Sequence, residues 1–340
     1  MGLRFRRSMS LGGGLRLNLS KSGLGISGGV RGARMGIGPR GARMAAGIPG
    51  TGLYFEKRRS LKGSKSKNDG NGSTHPQQQQ QKQIKPGFIR SLFMPKDEKF
   101  FIQGVNHLLK DNKSDSAENI RKCLNINSSF IDAYFALSLI TNDEKERLNS
   151  IKNILNNRQK FNQMFNKYKT LIGALLPLTE HVTLYIFNDD LGLELLAAEI
   201  LEDNGLINEA IDLLEKSSLV EDPALQLSLG ELYYQNEQYS KCIELIQGIE
   251  NNDMIATNAL YYKGLAFKKQ GMYTAAIDVL RKSRRRRKNR DPEILKDIRY
   301  SLAETLLADG QRREAAKEFE RIMAEDTSYR DVAQRLKELS

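Results

Sequence analysis

Residues 257–284 read TNALYYKGLAFKKQGMYTAAIDVLRKSR. Gly264 is followed three positions on by Phe267, then by a turn glycine, Gly271. A second stretch follows in which Tyr273, Ala276 and Leu280 recur at helical spacing. That is one helix, a tight turn, and a second helix returning against the first. The same order appears three more times. Ala197-Ala198, Leu201, Gly205, Ile207, Ala210 and Leu214 precede it. So do Leu229-Gly230, Tyr233, Tyr239, Cys242 and Ile246. Leu302-Ala303, Leu306, Gly310, Ala315 and Phe319 follow it. The units start near residues 191, 223, 257 and 296. A small residue facing a bulky one, repeated in register, is what two closely packed helices require.

These four segments resemble the tetratricopeptide repeat. Lys263, at a usually apolar place, and the missing terminal Pro of most units depart from it. The resemblance implies a mainly α chain, an α-solenoid body whose first helices line a concave groove. In that frame Leu227, Glu231, Tyr234, Asn258, Tyr261, Lys268, Asp297, Tyr300 and Glu304 face the groove. Clamps of this family that hold a C-terminal carboxylate need Lys and Asn at fixed positions. Here those positions read Leu227 and Glu231, then Tyr261 and Leu265. A Tyr-bearing groove of mixed charge suits an internal peptide or helix instead.

Upstream, residues 88–190 read as degenerate helical repeats. Phe100-Phe101, Gly104, Leu108, Ala117, Ile120 and Cys123 form one unit, and Tyr134, Leu137, Leu148 and Ile151 another. The Asn-rich stretch Leu155–Lys169 is expected to be helical. Pro177 and Val182–Phe187 fit either a helix start or a short strand interrupting the array.

The chain has 340 residues, 28% charged and 39% hydrophobic, enough for a core and for two or three domains. Its charge is uneven. Residues 1–67 hold 15 of the 53 Lys and Arg against a single acid, Glu56, a net +14. The other 273 residues, with 38 bases and 40 acids, sum to −2.

Within residues 1–56 glycine recurs at 14, 23, 32, 41 and 50. Between the glycines, Leu15/Leu17/Leu19, Leu24/Ile26 and Met35/Ile37 alternate with polar or small residues, the mark of half-buried strands. A small all-β meander of about five short strands is expected, with a further strand at Leu3–Arg7. Arg16, Arg34 and Arg43 share one position of the unit and project from the opposite face. A calcium β-roll is excluded, because the first Asp of the chain is Asp69. Gly23–Gly28 matches G-x-G-x-x-G but opens no helix, so no dinucleotide site is expected. Met1–Ser8, Arg16–Gly23 and Pro49–Phe55 are similar to a short bacterial and phage family of unknown function.

Residues 57–87 are polar and of low complexity, a flexible tether. A second basic run, Arg281–Arg290, falls in the long connection before the last repeat. Arg16, Arg34, Arg43, Arg284, Arg285, Arg286, Arg287 and Arg290 are the candidate contacts for nucleic acid or another anionic surface.

Cys123 and Cys242 are too few for a disulfide framework and occupy packing positions. His107 and His181 have no partner at catalytic or metal-binding spacing, so no catalytic residue, metal or cofactor is expected. The basic N-terminus is followed by no apolar stretch, and the longest apolar run, Leu171–Leu178, is far below the roughly 20 residues of a membrane span. A cytoplasmic protein that is not an integral membrane protein is expected. These readings converge on a non-enzymatic scaffold. Its groove binds a protein partner, and its basic head self-associates into a homo-oligomer or docks. The alternatives are a nucleic-acid-associated factor and a regulatory or sensor subunit of a bacterial stress or phage-defence system.

Overall fold

The computed structural model describes residues 83–85, 93–285 and 290–339, together with the backbone of six strands in residues 6–59. Most of the expected tether, Arg286 and Arg287, and the side chains of Arg16, Arg34 and Arg43 lie outside the described residues.

The strands are β1 (Arg6–Gly12), β2 (Leu15–Ser20), β3 (Gly23–Val30), β4 (Ala33–Gly38), β5 (Gly41–Gly47) and β6 (Tyr54–Arg59). Each pairs antiparallel with the next. Leu17 stands opposite Ile26 and Met35 opposite Met44. Arg16 stands opposite Ser27, and Arg43 opposite Gly36.

The body is a solenoid of helix pairs. α1 (Lys96–Leu108) packs on α2 (Lys113–Ile126), and α3 (Ile131–Ser138) on α4 (Glu144–Asn156). After an insertion come α6 (Asp190–Asp203) with α7 (Ile207–Glu215), and α8 (Pro223–Gln235) with α9 (Tyr239–Leu245). α10 (Met254–Lys269) with α11 (Tyr273–Arg284), then α12 (Pro292–Ala308) with α13 (Arg312–Glu325), complete the pairs. α14 (Val332–Leu339) closes the end.

Local chemistry sets these boundaries. α6, α8, α10 and α12 each begin after an Asp whose carboxylate accepts a backbone N–H of the first turn: Asp189, Asp222, Asp253 and Asp291. The turn into the second helix needs a left-handed residue. Gly205, Gly271 and Gly310 supply it, and in the second unit Glu237 does so at φ 59°.

The small positions are a packing requirement. A Cβ on Gly264 would come within 2.7 Å of Leu280, and one on Gly104 within 2.7 Å of Ile120. Gly230 has slightly more room, at 3.0 Å from Ile246. Cys123 and Cys242 are fully buried at such contacts. Lys263, half-buried at an apolar place, donates its ammonium to the Ile246 carbonyl, 3.4 Å away.

Residues 157–188 leave the array. The expected helix over Leu155–Lys169 is broken: α4 ends at Asn156, a 3₁₀ turn spans Arg158–Lys160, and α5 is confined to Gln163–Tyr168. Asn162 and Lys169, both left-handed, bound α5. Its N-terminus is held by the buried Asp132 carboxylate, which accepts from the backbone of Asn162, Met164 and Phe165 at 2.7, 2.6 and 3.1 Å. The chain then forms a hairpin, β7 (Gly173–Thr179) and β8 (Val182–Phe187), resolving the open choice at Val182 in favour of a strand.

The chain preceding α1 also touches the body. The Ile84 N–H donates to Asn106 Oδ1 at 2.7 Å and the Ile84 carbonyl accepts from Asn106 Nδ2 at 2.9 Å. The Ile84 side chain is buried. The chain is therefore anchored by residue 84, earlier than the end of the tether expected at 87.

Candidate functional site

The concave face is half filled by the protein itself. The hairpin packs against α6, α8 and α10, burying Leu176, Leu178, Val182 and Ile186. Its two-residue turn, Glu180-His181, is pinned by the Thr179 hydroxyl, which accepts from the N–H of His181 and of Val182. Thr179 Oγ1 lies 3.4 Å from Asn258 Oδ1 in the first half of α10. His181 Nε2 lies 2.8 Å from Asp297 Oδ2 on α12.

Asp297 also accepts from the Tyr329 hydroxyl and pairs with Arg330. Burial alone would raise its carboxyl, but the hydrogen bonds from His181 and Tyr329 and the Arg330 charge hold it below the usual range. Arg330 stacks over the rings of Tyr300 and Tyr329, at 4.8 and 5.3 Å. Glu180, His181 and Asp297 offer ligand atoms within 4.8 Å of one another. The guanidinium already seated on Asp297 opposes a metal cation there, and the His181–Asp297 pair joins the hairpin turn to α12.

Four of the nine groove positions are therefore corrected. Leu227 and Asn258 are completely buried, and Asp297 and Tyr300 nearly so. The hairpin tip covers Asp297, while Phe319 and Tyr329 pack on Tyr300.

Glu231, Tyr234, Tyr261, Lys268 and Glu304 remain half-buried between the middle and the C-terminal ends of the first helices. They are joined by Glu199, Glu202 and Tyr262, also half-buried. The Tyr262 hydroxyl donates to Glu231, and its ring lies 5.8 Å from that of Tyr234. Gln235 Nε2 donates to Glu202 at 2.8 Å, and Lys268 pairs with Glu304 at 2.7 Å. Burial, then the neighbouring Glu202 and Asp203, push the Glu199 carboxyl up to about 7. Burial, reinforced by Glu202 and Glu199 against the Tyr262 hydrogen bond, pushes Glu231 up to about 8. The two carboxyls thus sit where a neighbouring cation would change their charge near neutral pH.

Sequence reasoning missed Glu199, Glu202, Tyr262 and His181. Glu199 was within reach: it follows Ala198 as Glu231 follows Gly230 and Glu304 follows Ala303. His181 was not, because its partner is 116 residues away in the chain.

The second basic run is partly consumed internally. Arg284 pairs with Glu318 at 2.6 Å. Arg290 Nε donates to Thr257 Oγ1 at 2.6 Å, and the Thr257 hydroxyl donates to Asn251 Oδ1 at 2.6 Å. The reading of Arg284 and Arg290 as free anion contacts is corrected; Arg285 is exposed. Burial pushes both cysteine thiols up to about 12, which keeps them protonated and unreactive. His107 Nδ1 lies 3.5 Å from Asp115 Oδ2, a partner the spacing had not suggested. Among the described residues no helix is long and apolar enough to cross a membrane.

Comparison with known proteins agrees with this architecture. Residues 3–56 match the family described as "Protein of unknown function (DUF4236)". Residues 203–283 match the model of "Anaphase-promoting complex, cyclosome, subunit 3". No curated protein matches the chain. Among solved structures, the N-terminal domain of the EccA1 ATPase from the ESX-1 secretion system of Mycobacterium tuberculosis is 18% identical, with a TM-score of 0.53 over 75% of this chain and 91% of that one. YrrB, a TPR protein described as having an unusual peptide-binding site, is 15% identical, with a TM-score of 0.39 over 65% and 99%. TTC0263, a thermophilic TPR protein of Thermus thermophilus, is 12% identical, with a TM-score of 0.33 over 72% and 98%. The chain carries a solenoid of tetratricopeptide-like helix pairs, seen in its own packing, behind an N-terminal segment that matches a family of unknown function.

Proposed function

We propose that this protein is a non-enzymatic interaction scaffold whose solenoid binds a segment of a partner protein along the open half of its concave face. The observation that carries this is the strip of half-buried tyrosines and carboxylates on α6, α8 and α10, beside the hairpin that fills the other half. Rigid aromatic rings flanked by charged groups suit an extended peptide or a helix of the partner. Lys268 and Glu304 complete the far end of the strip, already paired with each other.

On this reading the small β domain expected over residues 1–56 runs on to Arg59 with β6, the linker expected over 57–87 ends where Ile84 joins the body, and the repeats run over 88–190 and 191–340. The backbone register, with Arg16 opposite Ser27, Ser27 opposite Gly36 and Gly36 opposite Arg43, supports reading these arginines as one group. A stretch this basic suits self-association with an acidic surface or docking to an anionic one.

The test is selection of a random peptide-display library on the full chain. Enriched peptides should bind at least tenfold more weakly after Tyr234→Ala or Glu231→Gln, and equally well after Glu209→Ala on the outer helix α7. An absence of enrichment, or enrichment indifferent to the two concave substitutions, refutes the reading.

A further inference from the structure

Among the described residues five large apolar side chains are exposed, and two of them stand opposite each other on the hairpin, Leu175 on β7 and Tyr185 on β8. With the exposed Pro177 they form an apolar face on the side of the hairpin turned away from α6, α8 and α10. Tyr185 is held in place there. Its ring crosses Gly173, where a Cβ would come within 2.8 Å of the Tyr185 Cε1, and its hydroxyl donates to the Gly173 carbonyl at 3.1 Å. The Phe187 ring lies 5.0 Å from it. An aromatic ring already fixed in this way loses little freedom when a partner covers it.

The backbone beside these side chains has bonds left to make. The Asn188 N–H donates to the Ile172 carbonyl at 3.1 Å, a bonded pair at the base of the hairpin. Bonded and non-bonded pairs alternate from there, so Gly173–Phe187, Leu175–Tyr185 and Pro177–Thr183 are non-bonded and turn their backbone groups outward. Pro177, without an N–H, costs no ladder bond at such a position. The outward side of β8 is covered at its end, where a Cβ on Gly192 of α6 would come within 2.0 Å of the Phe187 oxygen. β7 pairs with β8 alone, and among the described residues no hydrogen bond reaches the outward N–H or C=O of Leu175.

We propose that β7 takes a segment of the partner protein as a third strand of the hairpin sheet: an extended chain whose backbone bonds to Leu175 and whose apolar side chains, at every second position, lie beside Leu175, Pro177 and the Tyr185 ring. This rests on reading the concave face as the partner-binding face, and it names the conformation of the bound segment. An open strand edge asks for backbone donors and acceptors, which an extended chain offers and a helix keeps for itself. Leu175 and Pro177 share one face by strand alternation, so the matching segment carries apolar residues two apart. A second copy of this chain fits less well. An edge of seven residues that includes a proline falls far short of the ~1,200 Å² that a stable interface buries.

The experiment takes peptides enriched on the full chain from a random display library and methylates their backbone nitrogens one at a time. Methylation is expected to weaken binding at least tenfold at every second residue over one run of the peptide, and little at the residues between. In the full chain, Leu175→Pro removes the outward N–H without touching a ladder bond and should cost at least tenfold. Leu175→Thr keeps that N–H, loses the apolar contact and should cost less. Circular dichroism melting checks that both variants are folded like the unaltered chain, and the methylation series needs neither of them. Methylation effects without alternation, or a folded Leu175→Pro chain that binds unchanged, overturn the proposal; if Tyr234→Ala still weakens the same peptides, the concave strip stands as their site. No enriched peptide at all overturns both. A dimer of the full chain that Leu175→Pro dissociates assigns the edge to a second copy and overturns the partner strand.

Discussion

Replacing Glu231 by Gln removes a charge from the strip while keeping an oxygen to accept the Tyr262 hydroxyl. The Glu231 carboxyl is raised from 4.5 to about 8 in the folded chain, by burial first and by Glu202 and Glu199 next. Its ionised form is therefore disfavoured when folded. The native state carries no penalty below the unfolded value of 4.5. The penalty grows as pH rises and is complete above about 8. At 1.36 kcal/mol per unit the full shift corresponds to about 4–5 kcal/mol; solvent reaches the strip, so about 2 kcal/mol is the working figure. Gln cannot ionise and escapes the penalty. The variant should melt near the unaltered chain at pH 5.0 and about 4–8 °C above it at pH 8.5. Circular dichroism melting at the two pH values reads this directly. An equal offset at both, or a lower melting temperature at pH 8.5, refutes the electrostatic account of the strip.

Gly264→Val should cost about 1–3 kcal/mol in urea unfolding, because its side chain meets Leu280, whereas Gly230→Ala, with more room before Ile246, should cost less. Asp297→Ala strips His181, Tyr329 and Arg330 of their shared partner. It should cost about 3 kcal/mol and speed amide exchange over residues 173–187; unchanged exchange there would show that the hairpin does not depend on the His181–Asp297 pair. Glu237→Gly should stabilise by about 1 kcal/mol in urea unfolding, since Glu237 holds the left-handed turn that glycine holds in the neighbouring units.

The repeats were legible because their causes are local. Gly264 against Leu280, and an Asp before each first helix from α6 onward, act within one unit and recur in register. The filling of the groove was not legible. Val182–Phe187 is apolar in a way that fits a strand or a buried helix, and what decides between them lies elsewhere. Thr179 meets Asn258 79 residues on, and His181 meets Asp297 at still longer range. The same distance misled the reading of Arg284. Eight basic residues in a run of ten look solvated until Glu318, 34 residues on, folds back onto one of them. In the candidate site, Glu231 and Tyr234 were readable from the repeat frame, whereas the exclusion of Asn258 and Asp297 required the hairpin.

The central claim is that partners are met on the open concave strip. A photo-cross-linking amino acid placed at Tyr234 in the full chain, and separately at Asn208 on the outer helix α7, tests it in cells. The account predicts a defined protein adduct at position 234, mapped by mass spectrometry to one segment of the partner and absent at position 208. The same adducts at both positions, or adducts at 208 alone, would contradict it.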